Sequence, residues 1–273
     1  MLTDSMFSTP LRTRRLRSCP LGVVLVLLGM SLGACRDANE SPAERPSRAT
    51  TSPRVDPRWV TVFDPRRAQS GYTLTLHEMR TPVLLDLNGR VVHAWRGAKM
   101  KSRVRLLPDG AVLGIGVGRQ VVEHAWNGEK TWEFRTEGAL PHHDAIRLAN
   151  GNTLVVTLPE KGKADVLLEV DRAGKVVWRW VARERLGSLM PKRPPHPNDI
   201  THINSVQELP QNPWFAAGDE RFRPGNLLVS ARNLDTIFII ARSSGDIVWS
   251  YRAGLDRQHE ALLSAADSPR AGL

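Results

Sequence analysis

The stretch VLLEVDRAGKVVWRW, residues 166–180, decides the fold. A short apolar strand runs into a Gly-centred turn, then a Val-rich strand, then Trp. Strands rich in branched residues on either side of such a turn read as a β-hairpin. The phrase recurs as VLLDLNGRVVHAW (83–95), VVEHAWNGEKTWEF (121–134) and IFIIARSSGDIVWSY (237–251). Asn88-Gly89 and Asn127-Gly128 suit a tight turn with positive φ. Between the copies lies a second phrase: VRLLPDGAVLGI (104–115), DAIRLANGNTLVV (144–156), and NSVQELP continuing to GNLLVS (204–230). Two alternating hairpins give four strands per unit of roughly 45 residues, the period of propeller blades. The predicted fold is therefore an all-β propeller of four-stranded blades over residues 59–262, with about four blades visible. An irregular β-sandwich is the competing architecture. The recurring Trp residues read as packing between blades.

Outward from this core, the chain ends differ in composition. Arg12, Arg14, Arg15 and Arg17 precede an apolar run, LGVVLVLLGMSLG (21–33), too short to span a bilayer as a permanent helix. The ending Leu32-Gly33-Ala34-Cys35 looks like a lipobox. Residues 1–34 thus read as a signal peptide and Cys35 as the lipidated first residue of the mature chain, which acyl chains would hold on a membrane. The expected location is the periplasmic side of a bacterial membrane, and Arg36 after the cysteine favours the outer one. Residues 35–58, rich in Pro, Ser and Arg, read as a flexible tether. Residues 263–273 read as an irregular tail.

The 273 residues carry two cysteines and a formal charge of +10. Cys19 would leave with the signal and Cys35 would be acylated, so the fold must rest on packing without disulfides. The basic excess is dispersed among acidic residues, with no Lys/Arg block, which argues against nucleic-acid binding. A mildly positive cleft for anions is compatible with it. The sequence sets no oligomeric state.

Eight histidines occur, several of them in register. His142 and His143 precede a second phrase in LPHHDAIRL; His202 and Asn204 hold that place in DITHINSVQEL; His259 holds it in RQHEALL. The separations are 60 residues from His142 to His202 and 57 from His202 to His259. The first strand of each blade lines the propeller axis, so equivalent positions converge there although distant in sequence. Arg232, in VSARNLDTIFII, follows a strand that ends at the same mouth. Imidazoles, a carboxamide and a guanidinium suit an oxyanion, since Arg offers a rigid fork of donors and His serves as base, acid or nucleophile. The same histidines with Asp144 are also of a type to bind a metal, although no close ligand spacing accompanies them. Asn233 and Asp235 read as turn residues; His77, His93 and His124 lie outside the register and read as structural. The loop 191–197, PKRPPHP, reads as an extended entry to the site strand, and its Lys192, Arg193 and His196 as solvated.

The ordered set HHDAIRL, THINSV, SARNLDTIFIIARSSGDIVWSY and QHEA resembles the bacterial arylsulfotransferases. The likeness runs from about residue 60 to 262 and is strongest over 142–261. It implies an exported six-bladed propeller enzyme that moves a sulfuryl group from a phenolic sulfate ester to a phenol, without a nucleotide sulfate donor (PAPS-independent), cofactor or metal. It further implies that His259 is the nucleophile, forming a sulfo-histidine, and that His202 and Asn204 hold the sulfuryl oxygens. Arg232 would neutralise them, and one of His142 and His143 would be a further site residue, His143 by a narrow margin. Glu260 stands where the family commonly has Asp, and the family continues for at least another blade beyond the nucleophile. The carboxyl end therefore reads as cut short. The alternative is a truncated or non-catalytic propeller lipoprotein acting as a binding or scaffold module; a quinone-dependent dehydrogenase propeller is a third reading.

Overall fold

The computed structural model describes residues 59–159, 164–194 and 196–264. The signal peptide, Cys35, the tether and most of the expected tail lie outside the described residues, as does Pro195 of the entry loop.

Four antiparallel sheets follow one another along the chain, each a meander in sequence order. The first holds β1 (Thr73–His77), β2 (Thr81–Leu85) and β3 (Val91–Ala94). The second holds β4 (Met100–Leu106), β5 (Val112–Gly116), β6 (Val121–His124) and β7 (Lys130–Phe134). The third comprises β8 (Ala139–Arg147), β9 (Thr153–Pro159), β10 (Val166–Val170) and β11 (Val176–Val181). The fourth comprises β12 (Ile203–Glu208), β13 (Leu227–Ala231), β14 (Thr236–Ile240) and β15 (Ile247–Tyr251). Every copy of the first phrase forms the outer hairpin of a sheet, and every copy of the second forms the inner one. The first sheet departs from expectation by having three strands. Its β1, TLTLH, offers only Leu74 and Leu76 to a neighbour and belongs to neither phrase.

Successive sheets touch through their first strands, with β8 packed against β4, β5 and β12. Burial follows from that arrangement. Strands β5, β6 and β13 are buried along their whole length; a sheet stands on each side of β5 and β6, and the outer face of the fourth sheet is covered by Phe222 of the insertion and Ala261 of the returning chain. The outer strands β3 and β15 are half exposed. Together these features make the β-propeller that the repeats predict.

The outer turns of the first three sheets share one backbone geometry, and that of the fourth is one residue longer. In the third sheet Asp171 Oδ1 accepts from the N–H groups of Ala173 and Lys175, and positive φ falls on Gly174 alone (+84°). The ladder slips by one residue between Glu169 and Val170, as expected for a type I turn closed by a glycine bulge. The turns of the second, third and fourth sheets each present a planar group to the preceding sheet. Trp126 stacks on His93 at 3.6 Å, Arg172 lies 5.6 Å over Trp132, and Arg242 lies 4.1 Å over Trp178. The Trp132 indole N–H also donates to the Arg172 carbonyl at 3.1 Å. Below the two arginines sit buried carboxylates, Glu123 under Arg172 and Glu169 under Arg242. The blade Trp residues Trp132 and Trp178 are thus seams between sheets. His93 and His124 are structural too: His93 Nε2 donates to the Trp126 carbonyl and His124 Nδ1 to the Gly128 carbonyl, each at 2.9 Å.

The insertion after β12 folds into a short helix α1 (Pro213–Ala216), capped by Asn212, whose Oδ1 accepts from the Phe215 N–H. It lays Phe222 against Trp249, 5.6 Å apart. Past β15 the chain returns to the axis without forming a strand. It is held to β12 by side chains: Ser205 Oγ accepts from the Ala261 N–H, and Gln207 bonds both the N–H and the carbonyl of Leu263.

One inner-strand contact binds three blades. The fully buried Asp144 takes both arms of Arg105, Nε at 3.1 Å and Nη2 at 2.5 Å, and also accepts from the Val206 N–H at 3.1 Å. Removing one member of a buried pair strands the other, at a cost of about 3 kcal/mol or more. Asp144→Ala is expected to lose on the order of that amount in urea unfolding, whereas a loss within the few tenths typical of surface changes would show that the fork is solvated.

Candidate functional site

The histidines are displayed by irregularities in the inner strands. Strand β8 bulges between Pro141 and Ala145, and His142 and His143 occupy the bulge. His202 immediately precedes β12, which slips register between Ile203 and Ser205. His143 and His202 both take positive φ, +59° and +47°. A left-handed backbone costs about 1 kcal/mol for a residue with a side chain and is concentrated at functional sites. Bulges at strand ends re-aim side chains, and here they turn the imidazoles toward one another.

The result is a cluster of four rings. Centroids lie 4.6 Å apart for His143 and His202, 5.0 Å for His142 and His143, 6.1 Å for His142 and His202, and 6.5 Å for His143 and His259. His143 Nε2 and His202 Nε2 share a hydrogen bond of 2.8 Å. His202 Nδ1 donates to Asp199 Oδ2. His142 Nε2 donates at 2.5 Å to Oδ1 of Asp165, a fully buried carboxylate whose Oδ2 accepts from the Thr201 hydroxyl and, at 2.7 Å, from the Ile203 N–H. His259 Nδ1 donates to the Arg257 carbonyl at 3.0 Å, and Arg257 is itself fixed by its N–H to Asp235 Oδ1. A neutral imidazole carries one proton, so a donating Nδ1 leaves the lone pair of His259 on Nε2. His259 is exposed.

Electrostatics separate these groups. Burial, reinforced by positive charge on His142, His202 and His259, pushes the His143 imidazole down to about 4, against 6.5 in free solution. His143 is therefore neutral at ordinary pH. Burial alone would raise the Asp199 carboxyl. The hydrogen bond from His202 and the field of the neighbouring imidazoles outweigh it and hold the group below its usual range.

Asn204 and Arg232 stand beside the rings. Asn204 Nδ2 donates to the Gln258 carbonyl at 2.8 Å, and the Gln258 amide is anchored on the carbonyls of Ala231 and Thr236. Arg232 donates its backbone N–H to the His202 carbonyl, while its Nη1 donates to Asn233 Oδ1 at 2.8 Å. Asn233 Nδ2 closes the loop on the Asp199 carbonyl. Four buried polar atoms in this small region have no partner: Asp199 Oδ1, Asn204 Oδ1, Arg232 Nε and Gln258 Oε1. Buried polar atoms are nearly always bonded, so unmet capacity gathered here suits a polar ligand.

The structure thus brings His142, His143, His202, Asn204 and His259 together, with Arg232 joined through its backbone. Asp144 is turned away, into the fork with Arg105. Glu260 pairs with Arg103 of β4. Among the described residues no group of three or more His, Cys, Asp or Glu side chains has metal-site geometry. Sequence reading missed Asp165 and Asp199. The spacing Asp199-x-x-His202 was a local signal for the second, but nothing local ties Asp165 to His142, which is 23 residues away. A cavity of about 480 Å³, lined by Phe134, Arg135 and Arg179 among others, lies apart from the cluster.

Solved structures similar to this chain include a protein of unknown function from Bacteroides caccae, at TM-score 0.41 and 17% identity, covering 63% of this chain and 54% of that one. Others are a catalytically inactive virginiamycin B lyase from Staphylococcus aureus (0.39, 12%, 67% and 55%) and a Cps50 (Swd1) beta-propeller domain from Myceliophteria thermophila (0.42, 16%, 71% and 55%). The chain spans about half the length of these structures. No curated protein matches it. The model of the arylsulfotransferase (ASST) family matches residues 53–263, more than half of the sequence and the whole of the described propeller from Trp59 to Leu263. The chain belongs to the arylsulfotransferase family.

Proposed function

We propose that this protein is an aryl-sulfate sulfotransferase that works through a sulfo-histidine on His259. The observation that carries the reading is the free Nε2 lone pair of His259, set by the Nδ1 bond to Arg257, at the edge of a cluster of imidazoles and unfilled polar atoms. In the first half-reaction Nε2 attacks sulfur, the S–N bond forms, and the S–O bond to the aryl group breaks with its electron pair leaving on the phenolic oxygen. In the second, a phenol gives up its proton, its oxygen attacks sulfur, and the S–N pair returns to Nε2. Preorganised donors lower both barriers by meeting charge where it develops. Arg232, with an unpartnered Nε, and Asn204, with a second Nδ2 hydrogen, supply them. His202 has both ring nitrogens in use and has no donor to spare for a sulfuryl oxygen in this geometry. The chemistry calls on no cofactor or metal. The segment ending at Cys35 supports placing the enzyme outside the cytoplasm, anchored by lipid to a bacterial membrane.

Brief exposure of the purified protein to an aryl sulfate is expected to add about 80 Da to its intact mass, with release of phenol. The adduct should be absent from His259→Ala. A folded wild-type protein with neither adduct nor phenol would overturn the reading and return the weight to a binding propeller.

The neutrality of His143 has its own consequence. The unfolded chain takes a proton on this residue near pH 6.5, whereas the folded protein resists until about 4. Between those values the unfolded state binds more protons, so this contribution to stability is full above 6.5 and is lost as pH falls through the window. His143→Gln should unfold in urea with a shallower decline from pH 6.5 to 4 than wild type. Parallel declines would place the histidine in water.

A further inference from the structure

Three groups stand in line at the centre of the site. Asp199 Oδ2 accepts from His202 Nδ1, and His202 Nε2 meets His143 Nε2 at 2.8 Å. Asp199 belongs to the loop entering β12, His202 to the start of that strand, and His143 to the bulge of β8 in the neighbouring blade. The charged and titratable groups facing the pair are His142 from β8, Asp165 from the start of β10, Arg232 after β13 and His259 from the returning chain.

We propose that Asp199 is a positioning residue that fixes the tautomer of His202 and so makes His202 and His143 a two-ring proton relay for the transfer reaction. The proposal rests on the sulfotransferase reading above and deepens it. A carboxylate accepting from Nδ1 places the His202 proton there and leaves its Nε2 lone pair toward His143. His143 then donates its Nε2 proton to His202 and holds its own lone pair on Nδ1.

When the acceptor phenol attacks, its hydroxyl proton passes to His143 Nδ1 while the His143 Nε2 proton passes to His202 Nε2. The positive charge comes to rest on His202, beside the Asp199 carboxylate, and His143 ends neutral with its proton on the other nitrogen. In the donor half-reaction the flow reverses. The proton stored on His202 Nε2 by the preceding acceptor step passes to His143 Nε2 while the His143 Nδ1 proton passes to the departing aryl oxygen, so the free enzyme enters the donor step with His202 doubly protonated and no proton is gained or lost over the cycle. This division of labour answers an electrostatic problem. His143 is half-buried and surrounded by three other imidazoles, so it is a poor place to leave a positive charge. His202, bonded to a carboxylate held in its charged form, is a good one. Asp165 fixes His142 by a similar bond, but two further hydrogen bonds tie that carboxylate into the fold and the Asp165 N–H donates to the Thr201 hydroxyl. Asp199 has fewer structural duties and is the better test.

The experiment uses the purified full chain with nitrogen-15-labelled histidine. At neutral pH the wild-type His202 signal should report a protonated Nδ1, and Asp199→Ala should shift it toward the Nε2 tautomer. In turnover, Asp199→Asn keeps a neutral acceptor and removes the charge. It is expected to slow the first half-reaction, read as single-turnover release of phenol, by about 100-fold for donors whose phenol is weakly acidic, the lower range of general acid–base effects. Nitrophenyl sulfate, whose leaving group needs no proton, should be affected far less. Asp199→Glu should recover a large part of the loss. An Ala variant that keeps the Nδ1 tautomer would overturn the proposal. So would an Asn variant that slows both donors equally. If wild type transfers no sulfuryl group at all, the enzymatic reading fails with it, and the tautomer measurement alone decides whether Asp199 positions His202.

Discussion

A sheet that is apolar on both faces must be covered on both, and this requirement organises the molecule. Strands β5, β6 and β13 have no side that tolerates water. Each sheet is consequently stable only with both faces covered, and sheets of one shape stack about an axis. Inner strands then meet at that axis whether or not they carry anything useful. Convergence of His142, His143, His202 and His259 is thus a consequence of covering apolar faces. The proposed chemistry lies where packing had already gathered the chain.

The seams between sheets solve the same problem with different groups. Between the first two it is His93 under Trp126; between the next pairs it is Trp132 under Arg172 and Trp178 under Arg242. A guanidinium can replace an indole there because it is planar and weakly hydrated. Its charge then calls for a carboxylate beneath, and Glu123 and Glu169 supply one in the two seams that use arginine. The positive excess of the sequence is partly accounted for by this architecture, which spends arginines on packing and leaves them unavailable as an anion-binding surface.

How much of this was legible depends on how local each signal was. Hairpins with a Gly turn and alternating apolar residues announced themselves, and the blade order followed from repetition. The register of His142, His202 and His259 was legible for the same reason, since it is a property of the repeat. The three-stranded first sheet was not, because β1 carries only two leucines and copies neither phrase. The partners that give the histidines their separate characters were harder still. Asp165 meets His142 from the entry to β10, two strands away in the same sheet, and Asp144, which looked like a fifth member of the cluster, is claimed by Arg105 from another blade. Sequence spacing places residues on a face; it does not tell which of two adjacent side chains turns inward.

That last distinction bears on the doublet His142-His143. A bulge holds both residues at the axis, so the sequence offered two candidates for one role. The structure gives them different work. His142 is tied to a fully buried carboxylate and is part of the frame that joins the third and fourth sheets. His143 touches no carboxylate; its partner is another imidazole, and burial keeps it uncharged. The carboxylate that holds His142 is itself locked by the Thr201 hydroxyl and the Ile203 N–H, so this imidazole is fixed in position. A residue bonded to a second base can exchange a proton at little electrostatic cost. On that physical ground His143 is the member of the pair suited to the proposed relay, and His142 the member that keeps it in place.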